Sequence, residues 1–306
     1  MTLGERIKNI LPVEQFLKLL NRIHLPGFAG MPLGEVLRFY AMGIQKSSLT
    51  NRAAAVSFKF FMALFPGLIF FLTLIPYIPI PNFHQRLIIA IEGFIPGEIY
   101  PLLEKTIIDI IHDRKTGLLS LGFIIAVFFS TNGMNGLMKA FNDSAFITET
   151  RSALRHRWVA FWLTLFAIFT LVFSIAFLVL SNRLLVNLLQ GHHISPFVFS
   201  LLSIVKWLIV FVVVFFYVAT IFYFAPAPSM RWQYFSAGAL VSTIFCILFT
   251  YFISIYIHNF NSYNKIFGIL GTFPIILVWM FLNSLSLIIG FELNVSIRHA
   301  EARKDR

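Results

Sequence analysis

The chain has 306 residues, of which 58% are hydrophobic and only 12% are charged, and its formal net charge at pH 7 is +11. A soluble globular domain has about 25% charged residues, so this composition excludes a soluble protein and predicts a polytopic membrane protein. In such a protein the excess of Lys and Arg is explained by basic loops held against an anionic leaflet, and it does not call for a nucleic-acid partner.

The N-terminal segment 1–52 is predicted to lie on the cytoplasmic surface. Charged residues interrupt the apolar runs near its start, which predicts that no cleavable signal peptide is present. Residues 1–46 have the pattern of short amphipathic helices, broken at Pro12 and within the stretch HLPGFAGMP. We therefore expect 1–52 to be an interfacial amphipathic segment.

Six apolar segments follow, each long enough to cross about 30 Å of hydrocarbon. They are predicted at about 53–80, 117–141, 158–182, 198–224, 234–257 and 268–296. The loop 82–116 contains an amphipathic helix at 98–113 that is too short and too charged to span. The predicted fold class is therefore all-α, with a six-span membrane domain at 53–297, amphipathic interfacial helices and a basic tail at 298–306.

The distribution of Lys and Arg predicts the orientation of the chain. Sixteen of these residues lie in the segments on the same side of the six spans as the two termini, and six lie on the opposite side. Because cytoplasmic loops carry the excess of Lys and Arg, both termini are predicted to be cytoplasmic.

The second span carries polar residues along one helical face. Asn132, Asn135, Lys139 and Asn142 are spaced i, i+3, i+7 and i+10. Two interpretations stay open for this polar face. It forms interhelical hydrogen bonds, with the glycines between these residues permitting close approach, or it is the wall of a polar cavity.

Two opposite charges are predicted within the membrane at similar depth. Glu292 lies six residues before Arg298, and Lys59 lies seven residues after Arg52. At 1.5 Å per residue, they lie about 9 and about 10 Å from the cytoplasmic edge. Lys59 either pairs with Glu292 or snorkels to water, and Arg52, on the same helical face, is the rival partner of the carboxylate.

No motif for catalysis, a cofactor or a metal site is present. The sequence has no P-loop, no G-x-S-x-G, no H-E-x-x-H and no Cys/His zinc pattern. The acids Asp143 and Glu149 lie in a short loop near Arg151, which is more typical of local ion pairs than of a two-metal centre. We therefore predict that the protein is not an enzyme and assign Glu149 and Arg151 to the structure of this loop.

Three stretches resemble one known family. They are LTNRAAAVSFKFFMALFPGLIF (49–70), AFNDSAFITETRSALRHRW (140–158) and FNSYNKIFGILGTFPIILVWMFLNSLSLIIGFELN (260–294). They are similar to the YihY/BrkB family of bacterial inner-membrane proteins, once labelled ribonuclease BN. Glu292 and Asn294 match in the last stretch. Lys59 stands where that family usually has an uncharged residue, and Phe291 where it usually has an alanine, so no family role is carried onto Lys59.

The resemblance implies an inner-membrane protein of the bacterial envelope, with a suggested role in lipid handling or transport. We expect a transporter or flippase-like protein for a lipid or an amphiphilic anion, with membrane lipids as its partners. The alternative is a structural or scaffold subunit of an envelope assembly. The sequence leaves open whether the protein forms a homo-oligomer or binds an envelope partner protein. A ribonuclease is disfavoured because no residues converge for metal-assisted hydrolysis. The candidate binding residues are Arg52, Lys59, Asn132, Asn135, Lys139, Asn142, Glu292 and Asn294.

Overall fold

A computed structural model describes most of the membrane domain. The described residues are 30, 32, 34–37, 40, 48–74, 77, 116–144, 147, 149–191, 196–228, 233–259 and 272–304. The predicted helix at 98–113, residues 1–29 and the stretch 260–271 of the third family-like motif lie outside them.

Six long helices are present in the described ranges. They are α1 (Leu49–Leu74), α2 (Thr116–Asn142), α3 (Ala153–Gly191), α4 (Pro196–Phe224), α5 (Ala237–Asn259) and α6 (Thr272–Lys304). Each contains a segment long and apolar enough to cross a membrane. The predicted all-α fold with six candidate transmembrane helices is confirmed, and the cytoplasmic location of the termini stays a prediction.

Serine residues begin three of these helices. Ser48 accepts a hydrogen bond from the backbone N–H of Asn51 at 3.4 Å, and Ser152 and Ser236 make the equivalent bond at the starts of α3 and α5. Each hydroxyl satisfies an N–H group that the first helical turn leaves without a partner.

The helices form a closed ring in chain order. α1 packs on α2, α2 on α3, α3 on α4, α4 on α5 and α5 on α6, and α6 returns to pack on α1. The first and last spans therefore lie side by side, which brings residues more than 200 positions apart into contact.

The ring is packed most tightly at the end where α1 begins and α6 ends. An aromatic core fills this end: the rings of Phe141 and Phe291 are stacked at 4.3 Å, and Phe222 packs edge-on against both. Toward the other end the packing loosens, because no described residue of α4 from 197 to 217 has a buried side chain.

α5 and α6 approach each other through small residues. A Cβ atom added at Gly238 would overlap the carbonyl oxygen of Gly290, and a Cβ at Gly290 would overlap the Ser242 hydroxyl. Ser242 donates a hydrogen bond to the carbonyl of Ser286 at 2.8 Å across the same contact. Small residues allow backbones in a membrane to come this close, so that van der Waals packing and hydrogen bonds hold the helices together.

Candidate functional site

A buried ion pair joins three elements at the packed end of the ring. Arg52, in the first turn of α1, pairs through Nη2 with Oε1 of Glu292 on α6, and their side chains are only 9% and 1% exposed. The second guanidinium nitrogen, Nη1, donates to the carbonyl oxygen of Ala140 on α2 at 2.6 Å. Oε2 of Glu292 accepts a hydrogen bond from the Ser144 hydroxyl at 2.8 Å. The pair therefore links α1, the end of α2 and α6.

Arg52, and not Lys59, is the partner of Glu292. α6 continues as a helix beyond Arg298 to Lys304, so distance from Arg298 along the chain is a poor measure of the depth of Glu292. Glu292 lies at the level of Arg52, and Arg52 precedes Lys59 by two turns of α1.

Two described residues that precede α1 lie near the end of α6 that carries this ion pair. Burial, and then the negative charge of Glu292, raise the pKa of the Tyr40 hydroxyl above its ordinary value of 10.0. Val36 is fully buried and packs with Ile297 and Ala300 near the end of α6. Val36 and Tyr40 therefore lie at the packed end of the ring, where α6 ends.

Lys59 lies on the seam between α1 and α2. Its side chain crosses Gly136, where an added Cβ would be 2.5 Å from Cδ and 3.1 Å from Nζ of the lysine. Lys59 is partly exposed and makes no hydrogen bond or ion pair with any residue that the structure describes. The glycine at 136 leaves the space that the lysine side chain occupies.

The polar face of α2 points mostly away from the core. Asn132 is exposed and lies nine residues before Phe141, which places the two side chains on opposite sides of the helix. Lys139 is also exposed. Asn135 has a buried Oδ1 that finds no hydrogen-bond partner within the described ranges. Neither Asn132 nor Asn135 makes an interhelical hydrogen bond there, and Asn132 does not face the packed centre of the ring.

Asn142 belongs to a different network, which ties the α2–α3 connection to the end of α4. Its Oδ1 accepts from the backbone N–H of Ala227 at 2.9 Å, and its Nδ2 donates to Glu149. Glu149 forms an ion pair with Arg151 at 3.0 Å, and Arg151 donates to the carbonyl oxygen of Ala225 at 2.8 Å. Glu149 and Arg151 are therefore paired within this loop.

Asn294 lies apart from the Arg52–Glu292 pair and caps α5. Its Oδ1 accepts from the backbone N–H of Gly238, and its Nδ2 donates to the Ser236 hydroxyl, both at 2.8 Å. The eight candidate residues are therefore not brought into one site: two form the buried ion pair, two occupy hydrogen-bonded caps or loops, and the other four lie along α1 and α2.

Acid is expected to weaken the loop network through Glu149. Partial burial acts to raise the pKa of Glu149. The hydrogen bonds and the positive charge of Arg151 outweigh this effect and bring the pKa below its ordinary value of 4.5. A carboxylate whose pKa is lowered by folding stabilises the folded protein at pH values above its ordinary pKa. This stability is lost as the pH falls through the pKa of the carboxylate in the folded protein. We expect the thermal midpoint of the wild type to fall more steeply than that of Glu149→Gln below about pH 4.5. Equal slopes would contradict this.

The sequence gives no signal that Ser144 bonds Glu292 or that Tyr40 lies close enough to interact with its charge. The α5–α6 contact does have one, since Gly238 and Ser242, like Ser286 and Gly290, are small residues four positions apart.

A family model described as virulence factor BrkB matches residues 41–306. The chain belongs to the BrkB family. The match covers all six helices of the ring together with Arg52, Lys59 and Glu292.

Curated relatives of this BrkB-family protein are described mainly as membrane proteins. The ribonuclease-like protein YfkH of Bacillus subtilis is 26% identical over 261 residues, which are 83% of this chain and 92% of that protein. UPF0761 membrane proteins of Idiomarina loihiensis and Mannheimia succiniciproducens are 26% and 23% identical, over 60% and 81% of this chain and 61% and 84% of theirs. No solved structure matches the chain.

The chain is therefore an integral membrane protein of the BrkB family with six candidate spans. Within the described ranges, no group of three or more His, Cys, Asp or Glu side chains could hold a metal ion. Of the three relatives named above, YfkH is described as ribonuclease-like and the other two are described as membrane proteins.

Proposed function

We propose that this BrkB-family protein is a non-enzymatic inner-membrane transporter or flippase-like protein for a lipid or an amphiphilic anion. The observation that carries the proposal is Lys59, a cation in the first span with no ion pair or hydrogen bond to any described residue. On insertion scales a lysine at the centre of a span costs about 2.5–3.5 kcal/mol, and ionisable groups inside membranes usually mark a substrate or ion pathway. A lysine without a partner among the described residues suits an anionic ligand that binds and leaves.

The Arg52–Glu292 pair has the position of a gate in this proposal. It joins α1 to α6, where the ring closes, and to the end of α2 at Ala140 and Ser144. With the predicted orientation, this packed end faces the cytoplasm, and the looser halves of α3 and α4 face outward. Opening a path to the cytoplasm would require these contacts to separate.

Lipid movement in proteoliposomes tests the proposal. Purified protein is reconstituted with a fluorescent phospholipid, and a membrane-impermeant quencher reports the exchange of label between leaflets. We expect wild-type vesicles to lose the protected fraction faster than protein-free vesicles. No acceleration, with or without a pH gradient, would refute the transport proposal.

Lys59→Met is expected to slow this exchange about tenfold, corresponding to about 1.4 kcal/mol of lost interaction with the anion. Because Lys59 has no ion-pair partner in the described structure, the thermal midpoint should change little. Lys206→Met is the matched control: Lys206 is also an intramembrane lysine, but it lies on α4 with its amine 5.4 Å from the centre of the Trp207 ring. Equal slowing by both substitutions would contradict a specific role for Lys59.

A scaffold in an envelope assembly is the second candidate. It is favoured by the polar groups that are satisfied within the chain, namely those of Asn142, Glu292 and Asn294. Affinity purification from native membranes discriminates the two functions. A stoichiometric protein partner would favour the scaffold, and a protein that purifies alone and moves lipid would exclude it as the main function.

A further inference from the structure

α2 carries a mixed apolar and polar stripe on its outer surface. Leu121 and Phe128 are 55% and 59% exposed, and Asn132 and Lys139 are also exposed. Their spacings of seven, four and seven residues place all four on one side of the helix, which we call the outer stripe of α2.

The outer stripe faces away from the centre of the ring. Phe141, half a turn out of phase with Asn132, packs into the aromatic core against α4 and α6. Asn132 also lies ten residues before the end of α2 at Asn142, or about 15 Å along the helix. The candidate span that contains Asn132 runs from Leu119 to Asn142, so a polar side chain is exposed near the middle of this span.

Lys59 brings a second cation to the edge of the stripe. The lysine crosses Gly136, which is four residues after Asn132 and three before Lys139, so it approaches the side of α2 that carries the stripe. Neither α1 nor α2 contains an acidic residue. Neither Lys59 nor Lys139 forms an ion pair with a described residue. The outer stripe and Lys59 therefore place two cations and an amide on the same side of α2.

We propose that the outer stripe of α2, together with Lys59, binds the phosphate headgroup of an anionic phospholipid while its acyl chains stay in the bilayer against Leu121 and Phe128. This inference rests on the proposed function and names its substrate class and the site on α2 at which the lipid binds. A headgroup held below the membrane surface, with its acyl chains still in lipid, is an intermediate that movement between leaflets requires. The two lysines supply the charge, and Asn132 supplies an amide donor.

The positive charge of the outer stripe and Lys59 favours a lipid over a second copy of the chain. A two-fold contact through the stripe would place the same patch on both subunits, so its cations would face one another. Like charges in a low-dielectric membrane repel strongly, whereas a phosphate complements them.

Lipid retention by the full-length protein tests the headgroup site directly. The wild type in detergent is mixed with phosphatidylglycerol or phosphatidylcholine of identical acyl chains, and bound lipids are counted by native mass spectrometry. We expect the wild type to retain phosphatidylglycerol preferentially and Lys59→Met/Lys139→Met to lose about tenfold in affinity. Lys206→Met should keep the wild-type preference, and thermal midpoints without added lipid should be similar for all three proteins.

Three results would overturn the headgroup site. The first is equal retention of the two lipids by the wild type, and the second is an unchanged preference in Lys59→Met/Lys139→Met. The third is efficient dimer cross-linking through Asn132→Cys in a Cys246→Ser background, because this would show that a second copy covers the stripe. The two proposals fail separately. If the double variant loses its preference but the wild type moves no lipid, the headgroup site is supported and the transport proposal is refuted. If the wild type moves lipid but the double variant keeps its preference, the transport proposal is supported and the headgroup site is refuted.

Discussion

Arg52→Met is expected to lower the free energy of unfolding by about 3–5 kcal/mol, because it leaves the Glu292 carboxylate buried without its cation. Glu292 is 1% exposed, and the one other side chain that bonds its carboxylate in the described structure is Ser144. A single hydroxyl cannot replace a guanidinium that also holds the Ala140 carbonyl. Unfolding by titration with a denaturing detergent, followed by circular dichroism, measures the change.

The double variant Arg52→Met/Glu292→Leu separates the ion pair from other effects of removing Arg52. Replacing both members of a buried pair by apolar residues of similar volume is often close to neutral. We therefore expect the double variant to recover most of the lost stability, while Lys59→Met alone stays near the wild type. If Arg52→Met were no less stable than Lys59→Met, the assignment of Arg52 as the partner of Glu292 would be wrong.

Gly290→Leu is expected to separate α5 from α6 and to abolish most of the folded protein. A Cβ at Gly290 would already overlap the carbonyl oxygen of Gly238 and the hydroxyl of Ser242, and the backbone oxygen cannot rotate away. Overpacking costs about 1–3 kcal/mol for small additions and more where the backbone must move. Gly290→Ala should therefore fall between the wild type and Gly290→Leu in thermal midpoint and in the monodisperse yield on size exclusion.

Gly67→Ala provides the matched control for Gly290. Gly67 lies in the α1 helix, and an added Cβ there would meet no atom within 4 Å. Alanine at an open helical position removes backbone freedom from the unfolded chain and stabilises by about 0.4–1 kcal/mol. If Gly67→Ala and Gly290→Ala behaved alike, the close α5–α6 approach would not be a source of stability.

The sequence was sufficient to predict the membrane class, the number of spans and the family. Each span is a continuous apolar run, and the bilayer imposes a minimum length on such a run whatever its neighbours are. The helix bounds moved by several residues, as at α3, which begins at Ala153 and ends at Gly191 rather than spanning 158–182. The reason is that α3 continues as a helix beyond the apolar run, with a capping serine at Ser152.

The role of the polar face of α2 could not be predicted from its spacing. Periodicity showed that Asn132, Asn135 and Lys139 share a side of the helix, but not which neighbours that side meets. The closure of the ring decides this, because it buries Phe141 against α4 and α6 and leaves Asn132 on the outside.

The sequence by itself determined that this chain is an all-helical BrkB-family membrane protein with a lysine in its first span, since composition, apolar length and motifs are local properties. The tertiary structure decided that Arg52 pairs with Glu292, 240 residues away, and that Lys59 lies against Gly136 with no ion pair to any described residue. The physical reason is that a carboxylate buried in a helical bundle needs a cation from a neighbouring helix. Which helix is adjacent is fixed by the packing of α1 against α6, which no local pattern encodes.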